Sequence, residues 1–309
     1  MCIRDRLTLV ASRYAESIHV VLLWRCAGIA LLFLVLAAHR GHACLRTLRD
    51  HPAHCLVAAC LQACGYLGFA VAVSLTDTAS AMLLIALSPL HAAVLGWLLL
   101  GDGVPLSTLL GLALCAVAAV LLHQGQSDEA RRAGASEVPL QLLGDGVALA
   151  TGVCFAAYIT TIRALTAGTP TRKGDAAVDT TAVGVLSGAI AASVAGGAVA
   201  SLRQSPLDGM WWEGAAAVGA IALIVFAFYA AMQHAARHVK PAELSMVWLL
   251  ESALAPAWVA LAGLNRAPCS AWTFAGLLLL VVTLVGHEAF ALWKTRQVCS
   301  GAHEKFPLL

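Results

Sequence analysis

Two ionisable side chains stand inside long apolar runs and command the first attention: Arg25, eight residues into the run 18–38, and Glu251, eleven residues into the run 241–263. A charge at membrane depth is costly and points by default to function. Two readings stand side by side. In one, Glu251 takes a proton or a substrate amine and Arg25 faces a substrate carboxylate or phosphate. In the other, Arg25 snorkels towards a headgroup and Glu251 stays protonated or bonds a neighbouring helix. Tyr66 and Tyr229 come next, two of only four tyrosines, with Gln62, Ser88, His91, Tyr158 and Trp248 also setting polar or aromatic groups inside apolar runs. Aromatics with a few polar groups are the usual lining of a small-molecule pocket, and bonding between helices is the structural alternative. Pro89 and Pro256 interrupt the helical ladder and mark candidate hinges or plain kinks.

Other patterns argue against chemistry. His39, His42, Cys44, His51, His54 and Cys55 suit zinc or copper by type, but their spacing matches no ligand pattern and Arg40, Arg46 and Arg49 intervene. No metal or cofactor is expected, and the segment reads as a basic loop. There is no GxxxxGK[ST], HExxH or GxSxG, so neither direct ATP drive nor a hydrolase is indicated. Of the ten cysteines, Cys26, Cys60, Cys64, Cys115 and Cys154 sit inside apolar runs and none forms a CxxC pair, which reads as packing.

These residues need elements to hold them, and composition says what those are. Of the 309 residues 60% are hydrophobic and 12% charged, with a mean hydropathy of +0.83. A soluble surface takes roughly a quarter charged residues, so lipid must cover much of the chain. Soluble enzymes, nucleic-acid binders and disordered scaffolds are excluded, and a net charge of +2 implies no anionic partner. Nine runs have the ~20 residues that a membrane helix needs: 18–38, 54–75, 78–100, 105–122, 140–162, 177–200, 214–233, 241–263 and 270–293. They are continuous rather than alternating, which excludes a barrel. Eleven Lys and Arg, among them Arg40, Arg163, Arg237, Lys240 and Lys294, fall on one side against seven on the other. By the positive-inside rule the first side, with the C-terminus, is cytoplasmic.

Shifted by 163, the chain meets itself: Tyr66 falls on Tyr229, Pro105 on Pro268 and Ser107 on Ser270. The runs 18–38, 54–75, 78–100 and 105–122 map onto 177–200, 214–233, 241–263 and 270–293, and 140–162 lacks a partner. The expected fold class is an all-α polytopic membrane bundle of two inverted five-helix repeats, the first missing its first helix. Its parts are residues 1–123 (first repeat, four spans), 124–139 (inter-repeat loop), 140–293 (second repeat) and 294–309 (cytoplasmic tail). Units with an odd number of spans insert in opposite senses, an arrangement that recurs in secondary transporters. Gly184, Gly188, Ala192 and Gly196 recur every four residues and give one smooth helix face.

The segment TDTASAMLLIALSPLHAAVLGWLLLGDGVPLSTLLGLALCAVAAVLL (76–122) resembles the end of an EamA-type repeat of the drug/metabolite transporter superfamily, and KPAELSMVWLLESALAPAWVALAGLNRAPCSAWTFAGLLLLVVTL (240–284) resembles its second copy. The resemblance implies a ten-helix exporter or exchanger of small metabolites with both termini cytoplasmic. Three departures stand out. The family's Gly-Glu is Gly101-Asp102 here and Leu264-Asn265 in the second copy; its Glu-Pro pair is Glu251-Ser252; and MCIRDR (1–6) sets charges where the family has apolar helix and resembles translated adapter sequence.

The expectation is therefore a non-enzymatic secondary transporter of small organic metabolites, integral to a plasma membrane (the inner membrane in a bacterium). Its partners are a small-molecule metabolite and membrane lipid, without nucleic acid, and a homodimer is left open. A non-functional truncated fragment is the alternative, and a membrane-embedded enzyme a weaker one.

Overall fold

A computed structural model describes residues 18–76, 81, 84–101, 103, 106–132, 141–167, 178–203, 212–241, 243–244 and parts of 271–290. Among them there is no strand. Eight helices carry the description: α1 (Ile18–Arg40), α2 (His42–Asp50), α3 (Pro52–Leu75), α4 (Ser88–Leu100), α5 (Leu106–Arg132), α6 (Gln141–Ala167), α7 (Thr181–Ser201) and α8 (Trp212–Ala235). Five of them, α1, α3, α6, α7 and α8, are long and apolar enough to cross a membrane. At 1.5 Å per residue even the shortest, the 21-residue α7, reaches about 31 Å, the thickness of a hydrocarbon core. Exposed large apolar side chains such as Leu34, Leu98, Leu110 and Ile224 cover the outside, as lipid contact requires. The protein is a polytopic all-α membrane bundle.

Local chemistry sets the helix ends. His39 and Arg40 occupy the last turn of α1, where cations complement the helix dipole. Gly41 follows at φ 61°, and its N–H closes on the Ala37 carbonyl at 2.9 Å. Pro52 opens α3 in the first turn, which needs no N–H from it. Gly101 ends α4 in the left-handed conformation, φ 68°, its N–H bonding the Trp97 carbonyl.

Three segments differ from expectation. The basic stretch after α1 is no loop: residues 42–50 form α2, with Cys44 and Thr47, three apart, buried on one face. The helix does not end with the apolar run 105–122, because α5 continues to Arg132. Gln, Ala, Glu and Arg are good helix formers, so the charges of 124–132 end the apolar run and not the helix. In the run 78–100, the described residues 81 and 84–85 are helical, the chain turns at Ala86–Leu87, and α4 follows from Ser88 with Pro89 in its first turn.

The packing has a simple plan. α1 lies along α7 at the centre; α3 packs on α7 and α6, α8 packs on α1, and α4 packs on α6. α1 and α7 are antiparallel, since Arg40 reaches Thr181 at one end and Leu23 meets Gly196 near the other. Lipid offers no hydrophobic drive between helices, so close approach of small residues does the work. A Cβ on Gly188 would stand 2.8 Å from the Ala30 nitrogen, and one on Gly184 would enter the Phe33 ring. The small-residue face of α7 thus seats α1. Gly65 and Gly68 of α3 likewise give room to Phe155 and Thr151 of α6.

Candidate functional site

Tyr66 from α3, Tyr158 from α6 and Tyr229 from α8 meet in the middle of the bundle, all at least 96% buried. The Tyr66 and Tyr229 rings stand edge to face with centroids 5.0 Å apart at 89°, and Tyr158 approaches Tyr229 at 6.1 Å and 69°. Edge-to-face contact aims a positive ring edge at a negative ring face, the arrangement aromatic pairs favour. The cluster joins three helices from both expected repeats.

Polar groups frame it. The Gln62 Nε2 donates to the Tyr66 hydroxyl at 2.7 Å, one turn away on α3. On the other side Gln233 Nε2 donates to the Tyr158 hydroxyl at 3.2 Å, and Thr180 Oγ1 donates to Gln233 Oε1 at 3.2 Å. Arg25 on α1 reaches across and donates from Nη2 to the Tyr66 carbonyl at 3.1 Å. Two polar atoms are left over: Arg25 Nε and Gln62 Oε1 are buried without a hydrogen-bond partner among the described residues. Gln62 is wholly buried. Buried polar atoms are satisfied in the great majority of cases, so a spare donor and a spare acceptor on two residues that both bond Tyr66 are groups from which a ligand gains most.

Five of the sequence candidates, Arg25, Gln62, Tyr66, Tyr158 and Tyr229, are therefore brought together. Ser88 and His91 sit on α4; Ser88 is buried, and His91 keeps a buried Nδ1 without a partner among the described residues. Neither is joined to the tyrosine cluster by a described hydrogen bond. Pro89 lies in the first turn of α4, just after the turn at Ala86–Leu87. Trp248, Glu251 and Pro256 lie outside the described residues. Among the described residues no group of His, Cys, Asp or Glu could hold a metal ion, and Cys26, Cys44, Cys55, Cys60, Cys64, Cys115 and Cys154 are free thiols. A separate open cleft of about 280 Å³ lies between Ala53, His54 and Val57 of α3, Leu99 and Leu100 of α4, and Thr160, Thr161 and Ala164 of α6.

Residues missed in the sequence hold one end of the bundle. Asp179, 4% exposed, receives Arg40 Nη1 at 3.1 Å, the Thr181 N–H at 3.0 Å and the Thr181 hydroxyl at 2.5 Å. Burial works to raise its pKa, but the bonds from Thr181 and the Arg40 charge outweigh it and hold the carboxyl below its ordinary value. At the same end Arg163 Nη1 donates to the Arg237 carbonyl at 2.8 Å, and Lys240 Nζ to the Gly103 carbonyl at 3.0 Å. At the far end Thr76 donates to Asp145 at 2.7 Å. Gln233 carried a signal in the sequence, as an amide one turn after Tyr229 in an apolar run. Asp179 carried little, because its partner is 139 residues away.

The model of the EamA-like transporter family matches residues 7–123. Over that segment the chain is similar to the EamA-like transporter family. The family is one of small-molecule membrane transporters, and the EamA segment contributes Arg25, Gln62 and Tyr66 to the cluster. A crystal structure of another protein shares the fold over nearly the whole chain: TM-score 0.66 and 18% identity, covering 96% of this chain and 94% of that one. Comparison with curated proteins gives no match.

Proposed function

We propose that the protein is a secondary transporter, an exporter or exchanger of small organic metabolites, working by alternating access between two inverted repeats. One observation carries the reading: the packing is exchange-symmetric. Under the 163-residue shift α1 corresponds to α7 and α3 to α8, and α3 packs on α7 as α8 packs on α1. The equivalent helices α1 and α7 run antiparallel, as inversion requires, and the equivalent Tyr66 and Tyr229 meet ring to ring. Substrate sites of such transporters lie near the midplane at the repeat interface.

The tyrosine cluster is the substrate site in this reading. Its spare Arg25 Nε–H and spare Gln62 Oε1 ask for a ligand bearing an acceptor and an N–H or O–H donor, with the rings holding its apolar part. Ser88, His91 and Trp248 are further lining candidates. Glu251 carries the proton if transport is proton-coupled, and Pro89 and Pro256 are the hinges. The end bearing Arg40, Arg163, Arg237 and Lys240 faces the cytoplasm, in accord with the positive-inside rule. Uptake into proteoliposomes from a labelled panel of amino acids, purines and sugar phosphates, without ATP, tests the proposal. Transport of at least one class, lost in Gln62→Leu, supports it; a folded protein that moves none of them removes it.

A further inference from the structure

Asp179 is the single buried carboxylate among the described residues, and it is paired with Arg40. Its position is unusual in what it ties together. Oδ1 receives Arg40 from the last turn of α1, while the Asp179 N–H donates to Thr47 Oγ1 of α2 at 2.9 Å. Arg40 also donates to the Thr181 hydroxyl at 3.3 Å. Every one of these cross-element bonds uses the short turn 179–181, so one movement of that turn breaks them together. Thr180 in the same turn bonds Gln233, which bonds Tyr158. Through the backbone of that turn, these bonds link the half-exposed Arg40 to the tyrosine cluster.

We propose that the Arg40–Asp179 pair is the gate of this end: it holds the bundle closed over the tyrosine cluster and parts when that end opens. Arg40 lies in the first expected repeat and Asp179 in the second, so any motion that separates the repeats here must separate the pair. The Arg40 side chain is 45% exposed and that of Asp179 5%. A half-wet pair holds weakly enough to be broken in a transport cycle, unlike one sealed in the core. A second cation is ready for the released acid. Arg237 lies at the same end of the bundle, and its buried Nε–H has no partner among the described residues. Transfer of Asp179 from Arg40 to Arg237 gives the element two discrete arrangements, which is what a gate needs.

Cys44 reports the state of this gate. It is a free thiol on α2, 7% exposed, set against the start of α7 at Ala182 beside Asp179. In the full-length protein in proteoliposomes, N-ethylmaleimide labelling is followed peptide by peptide for the native chain, Asp179→Asn, Arg40→Gln and the double variant. Each single change is expected to speed Cys44 labelling about tenfold, one order of magnitude in the open population. The double variant should match the singles, because a gate already released cannot be released again. Cys115, 2% exposed on α5, should stay slow throughout.

The two single variants also separate opening from simple charge effects. Asp179 raises the thiol pKa and Arg40 lowers it, so their removal pushes the thiolate fraction in opposite directions. Acceleration in both variants therefore reads exposure. Acceleration only in Asp179→Asn, no acceleration at all, additive acceleration in the double variant, or parallel acceleration of Cys115 would each overturn the gate. The gate rests on the transporter reading for its purpose, but labelling needs no substrate. Inert proteoliposomes with a working gate would overturn transport alone.

Discussion

The seam between α1 and α7 gives a sharp energetic test, because α7 carries two glycines in opposite settings. At Gly188 a Cβ would stand 2.8 Å from the Ala30 nitrogen and 2.9 Å from its Cα and Cβ, contacts with backbone that cannot rotate away. At Gly197 nothing lies within 4 Å. Replacing glycine by alanine inside a helix gains roughly 0.5–1 kcal/mol from backbone entropy at either site. Overpacking a tight interface costs about 1–3 kcal/mol, because the helices must separate by several tenths of an ångström. Gly188→Ala is therefore expected to destabilise by roughly 0–2.5 kcal/mol net, while Gly197→Ala, which meets no such contact, is stabilised by about 0.5–1 kcal/mol. Reversible unfolding in mixed micelles, followed by circular dichroism as the denaturing detergent fraction rises, measures both. Equal stability of the two variants would show that the small-residue face of α7 is not what seats α1, and the packing plan at the centre of the bundle would fall with it.

Other expectations follow from single contacts. Tyr66→Phe strips Gln62 of its remaining described bond, so a loss of about 1 kcal/mol or less, the usual worth of a hydrogen bond inside a membrane protein, should appear in the same unfolding measurement. Asp179 should impose an acid limit on stability. Its folded pKa is depressed, so its contribution is complete above the ordinary carboxylate value and is lost as pH falls through the lower folded value; unfolding midpoints of the native chain should drop in that acidic window, and those of Asp179→Asn should not show that step. Glu251→Gln should remove the pH dependence of transport while leaving expression unchanged, and an unaltered pH profile would take Glu251 out of the mechanism.

The membrane helices were legible because a lipid-facing helix has to be apolar along its whole length, and α1, α3, α6, α7 and α8 each fill such a run. The tyrosine pair was legible for a different reason: tyrosine is scarce in this chain, so Tyr66 meeting Tyr229 under one shift carried weight that alanine matches did not. What sequence missed was short or distant. α2 is nine residues of mixed polarity, too short for an apolar window, and its helical signature is only the spacing of Cys44 and Thr47. The extension of α5 to Arg132 was hidden because charge ends a span without ending a helix. Asp179 sat at the edge of an apolar run, and only the antiparallel pairing of α1 and α7 gives it Arg40 as a partner. Arg25 was singled out for its charge, but its actual bond, to the carbonyl of Tyr66 on a different helix, is a matter of tertiary packing.

Counterflow tests the transport cycle most directly. Proteoliposomes are loaded with an unlabelled substrate from the panel and diluted into a trace of the same labelled compound, with no ATP and no ion gradient. Alternating access predicts a transient overshoot, labelled substrate rising inside above its outside level before it decays, and a smaller overshoot in Gln62→Leu. Labelled compound that only equilibrates, without overshoot and regardless of internal substrate, would contradict alternating access between the two halves of this bundle.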